Sequence, residues 1–467
     1  MYETADVMNF LLTILATLSV LSSGAAVEGI VVHSRSDNGI VKPMNAVNNG
    51  PTSDTFDNYK ALEIPFARTH DTALGESYGR YCVDIDLVFP DWERNPSDPK
   101  AYDFAVTDKV IADIVSAGTE PFYRLGQSIE HQVKKYGTWP PKDNKKWARI
   151  CEGIIRHYNE GWADGFHYGI RYWEIWNEPD LEGEDVRTVA PKTWGGTDGQ
   201  FYDLFETAAK YLKKTFPDLK IGGPASCGNW KWAKAFLDEM ASRKVPMDFF
   251  SWHIYHYRPE KVRENALEFR KMLDEAGYAG TESILDEWNF VRNWDTKFNY
   301  SIQSLKTVKG ASFVAACMSL LQDMPVDMAM YYDFRPSTCW CGAFSREVQD
   351  VLPPYYAFYA WNKLVERGRA LKVSLGDELK DDIFCTAAKG ADGGMAILVV
   401  RYNSDNNELV TKDYTLQVPG IDLSGKKKVL GHLTDSSHLY TEVPLAVSDD
   451  GTIKLKMEPH SFILIEL

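Results

Sequence analysis

Two glutamates in this sequence could share one reaction. Glu178 lies in "WEIWNEPD" and Glu287 in "ILDEWN". One carboxylic acid can protonate a leaving oxygen while a second, ionised carboxylate attacks the carbon it leaves. The two then need different proton affinities. Glu178 is the expected acid. Glu287 is the expected nucleophile, kept ionised by donors such as Arg68 and Tyr255. At an acetal carbon this division of labour cleaves a glycosidic bond, and carboxyls about 5–5.5 Å apart give retention of configuration.

Local rules constrain both groups. Pro179 follows Glu178, and a proline ring disfavours helical geometry in the residue before it, so Glu178 is expected to be extended. Asp286 is a rival nucleophile, but neighbours on a strand face opposite sides, so only one of Asp286 and Glu287 should point inward. By the same alternation Tyr172, Glu174, Trp176 and Glu178 share a side. Glu174 then lies deeper, where a carboxylate needs a buried partner.

The elements that must position these groups recur along the chain. Short apolar, β-branched or aromatic runs occupy residues 39–47, 64–69, 120–126, 171–178, 220–226, 249–255, 283–289 and 328–334. Amphipathic stretches such as 104–118, 147–161, 201–216 and 262–277 lie between them, with the 3.6-residue period of helices. Eight strands alternating with helices predict an α/β fold, a (β/α)8 TIM barrel, with active groups at the C-terminal strand ends. That rule selects Arg68, His70, Asp71, Asn177, Glu178, His253, Tyr255, Glu287, Asn289, Tyr332 and Asp333. Glu178 and Glu287 are about 109 residues apart, or about 36 per unit over three units, near the roughly 31 of an eight-unit barrel. They would face each other from strands four and seven.

After about residue 370 short strands follow one another with turn signals and no helix pattern, which predicts a small C-terminal antiparallel β-sandwich. The expected division is a signal peptide over 1–26, a strand within 27–38 that can join the sandwich, a catalytic barrel over 39–367 and the sandwich over 368–467. The apolar run 10–21 and the small residues ending at Ala26 suit export to the periplasm or medium. Glu3 and Asp6 are foreign to such a leader. A start at Met8 removes both, and without a working signal the chain stays cytoplasmic.

Composition narrows the partners. The formal net charge is −15, which disfavours nucleic acid, whose binding rests on Lys and Arg neutralising phosphates. No run is long enough for a comfortable membrane span. Seven scattered cysteines lack the spacing of a zinc site; only Cys339 and Cys341 are close-spaced. Aromatic residues are 13% of the chain, as a core or a sugar-binding cleft would use. Trp194, Trp288 and Trp340 are candidates for a sugar platform or for packing.

"WEIWNEPD" resembles the Asn-Glu-Pro signature of clan A glycoside hydrolases, and "ILDEWN" their strand-seven nucleophile segment. "ARTHD", "VDIDLVFPDW" and "DFFSWHIYHY" narrow the resemblance to glycoside hydrolase family 39, the family of β-xylosidases and α-L-iduronidases, over about residues 30–365. The resemblance implies Glu178 as acid/base, Glu287 as nucleophile, and Asn177 bonding the sugar 2-hydroxyl. It also implies His70 on the −1 sugar, Arg68 and Tyr255 orienting Glu287, His253 in the active site, and no need of a metal or cofactor. Strand eight departs from the family's pattern: Tyr332 stands in the place of a Trp, followed by Asp333. The expected activity is a retaining exo-glycosidase on oligosaccharides, β-xylosidase first. A uronide, galactoside or arabinoside is the alternative, with Arg335 and Arg346 as candidate cations for a uronide. A catalytically inactive carbohydrate-binding barrel is the reading from another class. The long segment 181–196 is suited to closing one end of the cleft.

Overall fold

A computed structural model describes residues 29–71, 75–76 and 80–467. The leader expected over residues 1–26 lies outside the described residues. All eight runs form strands: Ala46–Asn48, Phe66–Arg68, Glu120–Leu125, Tyr172–Ile175, Lys220–Ser226, Phe249–Tyr255, Glu282–Asn289 and Met328–Tyr331. They close into one parallel barrel in chain order, the eighth pairing back onto the first.

The barrel fills in layers, as inward residues of a tilted closed sheet must. At the bottom Ala46, Phe66, Phe122, Tyr172, Phe249 and Ile284 form an apolar plug with Met328 and Met330. Two residues further along four of these strands come Arg68, Glu174, Ser251 and Asp286, all fully buried. This polar layer is the floor of the site.

Helices enclose the barrel because their apolar residues recur on one side. Asn144–Glu160 buries Trp147, Cys151, Ile154 and Tyr158. The Asp143 side chain caps its start by accepting from the amides of Lys145 and Lys146, and Gly161, at φ 73°, ends it in the left-handed region that suits glycine. Val308–Gln322 is buried on nearly every side, as an all-round apolar helix must be.

What covers it is a nine-stranded sheet. Its order is Thr441–Ala446, Lys428–Thr434, His460–Glu466, Met395–Tyr402, Ile383–Lys389, Arg369–Leu375, Ile30–Ile40, Lys412–Gln417 and Ile453–Met457. Every strand contributes to a core of its own, including Val32, Ile397, Leu416 and Ile465. The opposite faces of its central strands place Phe384, Leu398, Val400 and Phe462 in the barrel's outer core. The N-terminal strand Ile30–Ile40 pairs with both Arg369–Leu375 and Lys412–Gln417, so both ends of the described chain build this domain. Among the described residues no helix is long and apolar enough to cross a membrane.

Candidate active site

Glu178 reaches the barrel mouth by a route the strand alternation does not supply. The fourth strand ends at Ile175. Trp176 (φ 76°) and Glu178 (φ 47°) both adopt left-handed backbone, so the alternation stops there: Trp176 turns outward onto Trp194, and Glu178 turns into the cleft. Pro179 therefore does not hold Glu178 extended. Long-range bonds hold it instead. Its amide donates to the Ala225 carbonyl at 2.9 Å, and its carbonyl accepts from Thr193 Oγ1 at 2.6 Å.

Glu287 arrives opposite through a bulge. Against the sixth strand Leu285 pairs with Trp252 and Glu287 with His253, leaving Asp286 as the extra residue. A bulge sets two residues against one and breaks the alternation. Hence Asp286 and Glu287 both turn toward the same guanidinium, contrary to the expectation that only one points inward. Arg68 Nε lies 3.1 Å from Asp286 Oδ2, and its NH1 lies 3.2 Å from Glu287 Oε2. The same side chain donates to Glu174 Oε2 at 2.7 Å and to Asn177 Oδ1 at 2.7 Å. Ser251 Oγ donates to the other oxygen of Glu174 at 2.7 Å.

His253 stands between the two candidate carboxylates. Its Nδ1 lies 2.8 Å from Glu178 Oε1, and its Nε2 lies 3.4 Å from Asp286 Oδ2 and 3.8 Å from Glu287 Oε2. Both ring nitrogens face carboxylates. Burial disfavours the imidazolium, but Glu287 and Asp286 outweigh it and hold His253 protonated well above its ordinary range. One oxygen each of Glu178 and Glu287 and one nitrogen of His253 lie within 4.8 Å of one another. A cation at about 2.0–2.2 Å from each donor would have to replace the direct His253–Glu178 bond.

The Tyr255 hydroxyl donates to Glu287 Oε1, so both expected donors, Arg68 and Tyr255, reach Glu287. They do not keep it fully ionised. Burial pushes its pKa up to about 7; His253 opposes this, the Glu178 charge adds to it, and Arg68 and Tyr255 oppose it again. Below the pair, burial raises Glu174 to about 8 against the pull of Arg68. Asp286 is also penalised by burial, but Arg68 and His253 bring it below its ordinary value.

The cleft above these groups has a volume of about 610 Å³. His70, Asp71, Glu178, His253, Tyr255, Glu287 and Tyr332 reach its wall. His70 Nδ1 accepts from Arg124 Nε at 3.2 Å, which leaves the ring proton on Nε2. Burial and the nearby arginines keep this histidine neutral, with its pKa well below the ordinary value. Tyr332 donates to Asp71 Oδ2 at 2.9 Å.

Four expected strand-end residues do not line the cleft. Asn289 is buried and donates through Nδ2 to the carbonyls of Tyr332 at 2.6 Å and Trp340 at 3.1 Å. Arg68 is fully buried under Glu287, so it meets the carboxylates and not a substrate. Asn177 is almost fully buried, with its Oδ1 taken by Arg68. Asp333 is fully buried and closes its own loop, accepting from the Arg335 amide at 2.5 Å and from Thr338 Oγ1 at 3.3 Å. Arg335 is buried near Asp333, 3.5 Å away, and Arg346 is exposed outside the cleft.

Of the three candidate platform residues, Trp194 and Trp288 are core, while Trp340 lines the cleft. Sequence reasoning missed Trp294, which packs edge-on to Tyr255 with centroids 5.2 Å apart and is 60% exposed at the rim. It also missed Asn48, whose Nδ2 donates to the Asp286 carbonyl at 2.8 Å; the strand-end rule would have selected it had the first run been carried one residue further. Leu181 and Lys192, from the long segment after the fourth strand, form another part of the wall. Arg187 pins that segment by donating to the carbonyls of Gly196 and Pro179.

A closed parallel barrel with carboxylates gathered at its mouth has the architecture of a glycoside hydrolase. The sequence profile of Glycosyl hydrolases family 39 matches residues 79–336, more than half of the chain, and the chain belongs to that family. A β-xylosidase of Geobacillus stearothermophilus is 25% identical over 362 residues, 68% of this chain and 65% of that protein. The match thus spans just under two thirds of that relative's length. A β-xylosidase of Caldicellulosiruptor saccharolyticus is 23% identical over 367 residues, 73% of this chain and 71% of that one. Among solved structures, a glucosidase from Croceicoccus marinus superposes with a TM-score of 0.72 at 23% identity, covering 94% of this chain and 99% of that chain. A monomeric β-xylosidase from Caulobacter crescentus gives 0.67 at 16%, with the same coverage. These superpositions establish the fold.

Proposed function

We propose that the protein is a retaining, exo-acting β-xylosidase. The observation that carries the mechanism is the approach of Glu178 and Glu287 within 4.8 Å, oxygen to oxygen, beside His253. A closest approach this short favours the roughly 5–5.5 Å separation of retaining enzymes over the about 6.5–9.5 Å of inverting ones. Glu287, deprotonated, attacks the anomeric carbon while Glu178 protonates the departing oxygen. The resulting glycosyl ester is then attacked by water, from which Glu178, now ionised, takes a proton. Arg68 and Tyr255 hold the attacking oxygens of Glu287 and take no part in proton transfer. Asn177, its Oδ1 held by Arg68, lies beneath the cleft wall beside Glu178 and is assigned no contact with the sugar.

Two β-xylosidase relatives support xylose, and the wall built by Leu181 and Lys192 supports action at a chain end. Lys192 favours one second reading, an exo-glycosidase on a uronide, because it brings a cation, shared with Glu182 3.3 Å away, to the cleft wall where Arg335 and Arg346 do not. A panel of aryl β-xyloside, β-glucoside, β-galactoside, α-arabinoside and α-iduronide decides the sugar. Glu287→Gly should lose about 10⁴-fold in kcat, and azide should restore turnover with inversion at the anomeric carbon. Glu178→Ala with azide should give the retained glycosyl azide. Full activity in Glu287→Gly would sink the nucleophile assignment. No turnover of any sugar, natural oligosaccharides included, would favour a binding barrel.

A further inference from the structure

The molecule has a second aromatic cavity, on the same barrel face but outside the cleft. Its volume is about 380 Å³, and Phe89, Trp92, Tyr136, Trp139, Trp147 and Trp176 supply its rings. None of these residues lines the catalytic cleft. The size falls in the range of about 300–1,000 Å³ typical of small-molecule sites.

The cavity is built in advance. Trp139 is 40% exposed, yet its other side rests on a glycine: a Cβ on Gly195 would come within 2.5 Å of its ring. The Gly195 amide donates to the Thr138 carbonyl at 2.7 Å, which stitches this wall to the neighbouring loop. Gly126, at φ +128°, leaves the space that Trp176 fills; a Cβ there would sit 2.9 Å from the indole. Glu130 ties the rest of the loop by accepting from the amides of Tyr136 and Gly137, both at 2.8 Å. A half-exposed indole held rigid by its backing is a platform that loses little freedom when something stacks on it.

The remaining wall selects the occupant. Asp86, Gln127 and Lys142 stand among the rings, one acid, one amide and one cation. The Gln127 amide already donates to Asp84 and Glu130, and Lys142 pairs with Glu93 3.0 Å away on the exposed rim; a hydrocarbon laid against that rim would displace its water with no hydrogen bond in return. A ligand with an apolar face and hydroxyls on its edges meets both kinds of wall. We propose that this cavity is an accessory site for one pyranose unit of a neutral oligosaccharide, separate from the site that cleaves it.

Fluorotryptophan-labelled protein carrying Glu287→Gln, titrated with xylotriose and with cellotriose, tests this by ¹⁹F NMR. Trp294 and Trp340 report the cleft; Trp92 and Trp139 report the cavity. Saturable shifts at Trp92 and Trp139 with either sugar are expected. Trp139→Ala should weaken binding at the Trp92 signal about tenfold, while aryl-glycoside kcat/KM in the otherwise wild-type chain stays within about twofold. Trp139→Phe, which keeps a ring, should retain most of the binding if the alanine variant folds poorly. Silence at Trp92 and Trp139 with both sugars, or a response there to cyclohexane and to neither sugar, would overturn the proposal. Failure of the xylosidase reading looks different: Trp294 and Trp340 stay silent with xylotriose, and the cavity signals are free to respond.

Discussion

His253 Nδ1 lies 2.8 Å from Glu178 Oε1, and the other ring nitrogen faces Asp286 and Glu287. The imidazolium is therefore the charge common to both candidate catalytic carboxylates. It lowers the proton affinity of Glu287, which burial and the Glu178 charge otherwise raise.

The pH profile should expose this. With Glu287 near 7, its attacking form is depleted as pH falls through that value, so kcat/KM should rise with pH toward neutrality. His253→Asn removes the opposing cation and leaves the raising influences in place. The acid limb should then move to higher pH, by roughly 1–3 units for a charge this close, and kcat should fall. Rates on one aryl glycoside across the pH range measure it. An unmoved acid limb would remove His253 from this role.

Trp294 should act on binding alone. Its ring packs on Tyr255 and Trp340 but bonds to neither carboxylate. Contact with a sugar or aglycone face is equal in ground and transition states, which changes KM and not kcat. Trp294→Ala should raise KM about tenfold and leave kcat within about twofold. A large loss in kcat would mean that the indole orients Tyr255.

The contrast between these residues tracks what the sequence revealed. Strand ends in a parallel barrel converge by geometry, so alternation and chain order placed Glu178, His253, Tyr255, Glu287 and Tyr332 near one mouth. The bulge at Asp286 was hidden, because nothing local marks where the ladder with the sixth strand slips. The left-handed backbone at Glu178 was hidden too: Ala225 and Thr193, which hold it, lie 15 or more residues away. Trp294 sits in a loop beyond the seventh strand, where no periodicity operates. Asp333 obeyed the strand-end rule and still turned into its own loop, where Thr338 satisfies it.

Arg68 should matter to stability as much as to activity. It has no exposed surface and reaches Glu174, Asp286 and Glu287. Removing one partner of a buried ion pair leaves uncompensated charge and costs about 3–5 kcal/mol. Arg68→Met should lose that much in chemical denaturation. Arg68→Lys should restore little, since a point charge cannot serve Glu174, Asn48, Asn177 and Glu287 from one fork. A loss below about 1 kcal/mol in Arg68→Met would mean that the surrounding carboxylates take up protons at little cost.

Glu174 offers the complementary test. Burial raises its pKa from 4.5 to about 8, so the unfolded chain gives up this proton at lower pH than the folded one. Between those values the unfolded state binds fewer protons, and stability falls as pH rises, by up to about 1.4 kcal/mol per pH unit. Glu174→Gln removes the titration. Its amide oxygen can keep accepting from Arg68, and its amide nitrogen can donate to Ser251 Oγ, whose hydroxyl reverses to suit. The variant should match wild type in acid, where Glu174 is already neutral. Its advantage should then grow with pH until about 8 and level off, read as the difference between two denaturation series. A constant difference across that range would mean that Glu174 is ionised in the folded protein, with Arg68 overcoming its burial.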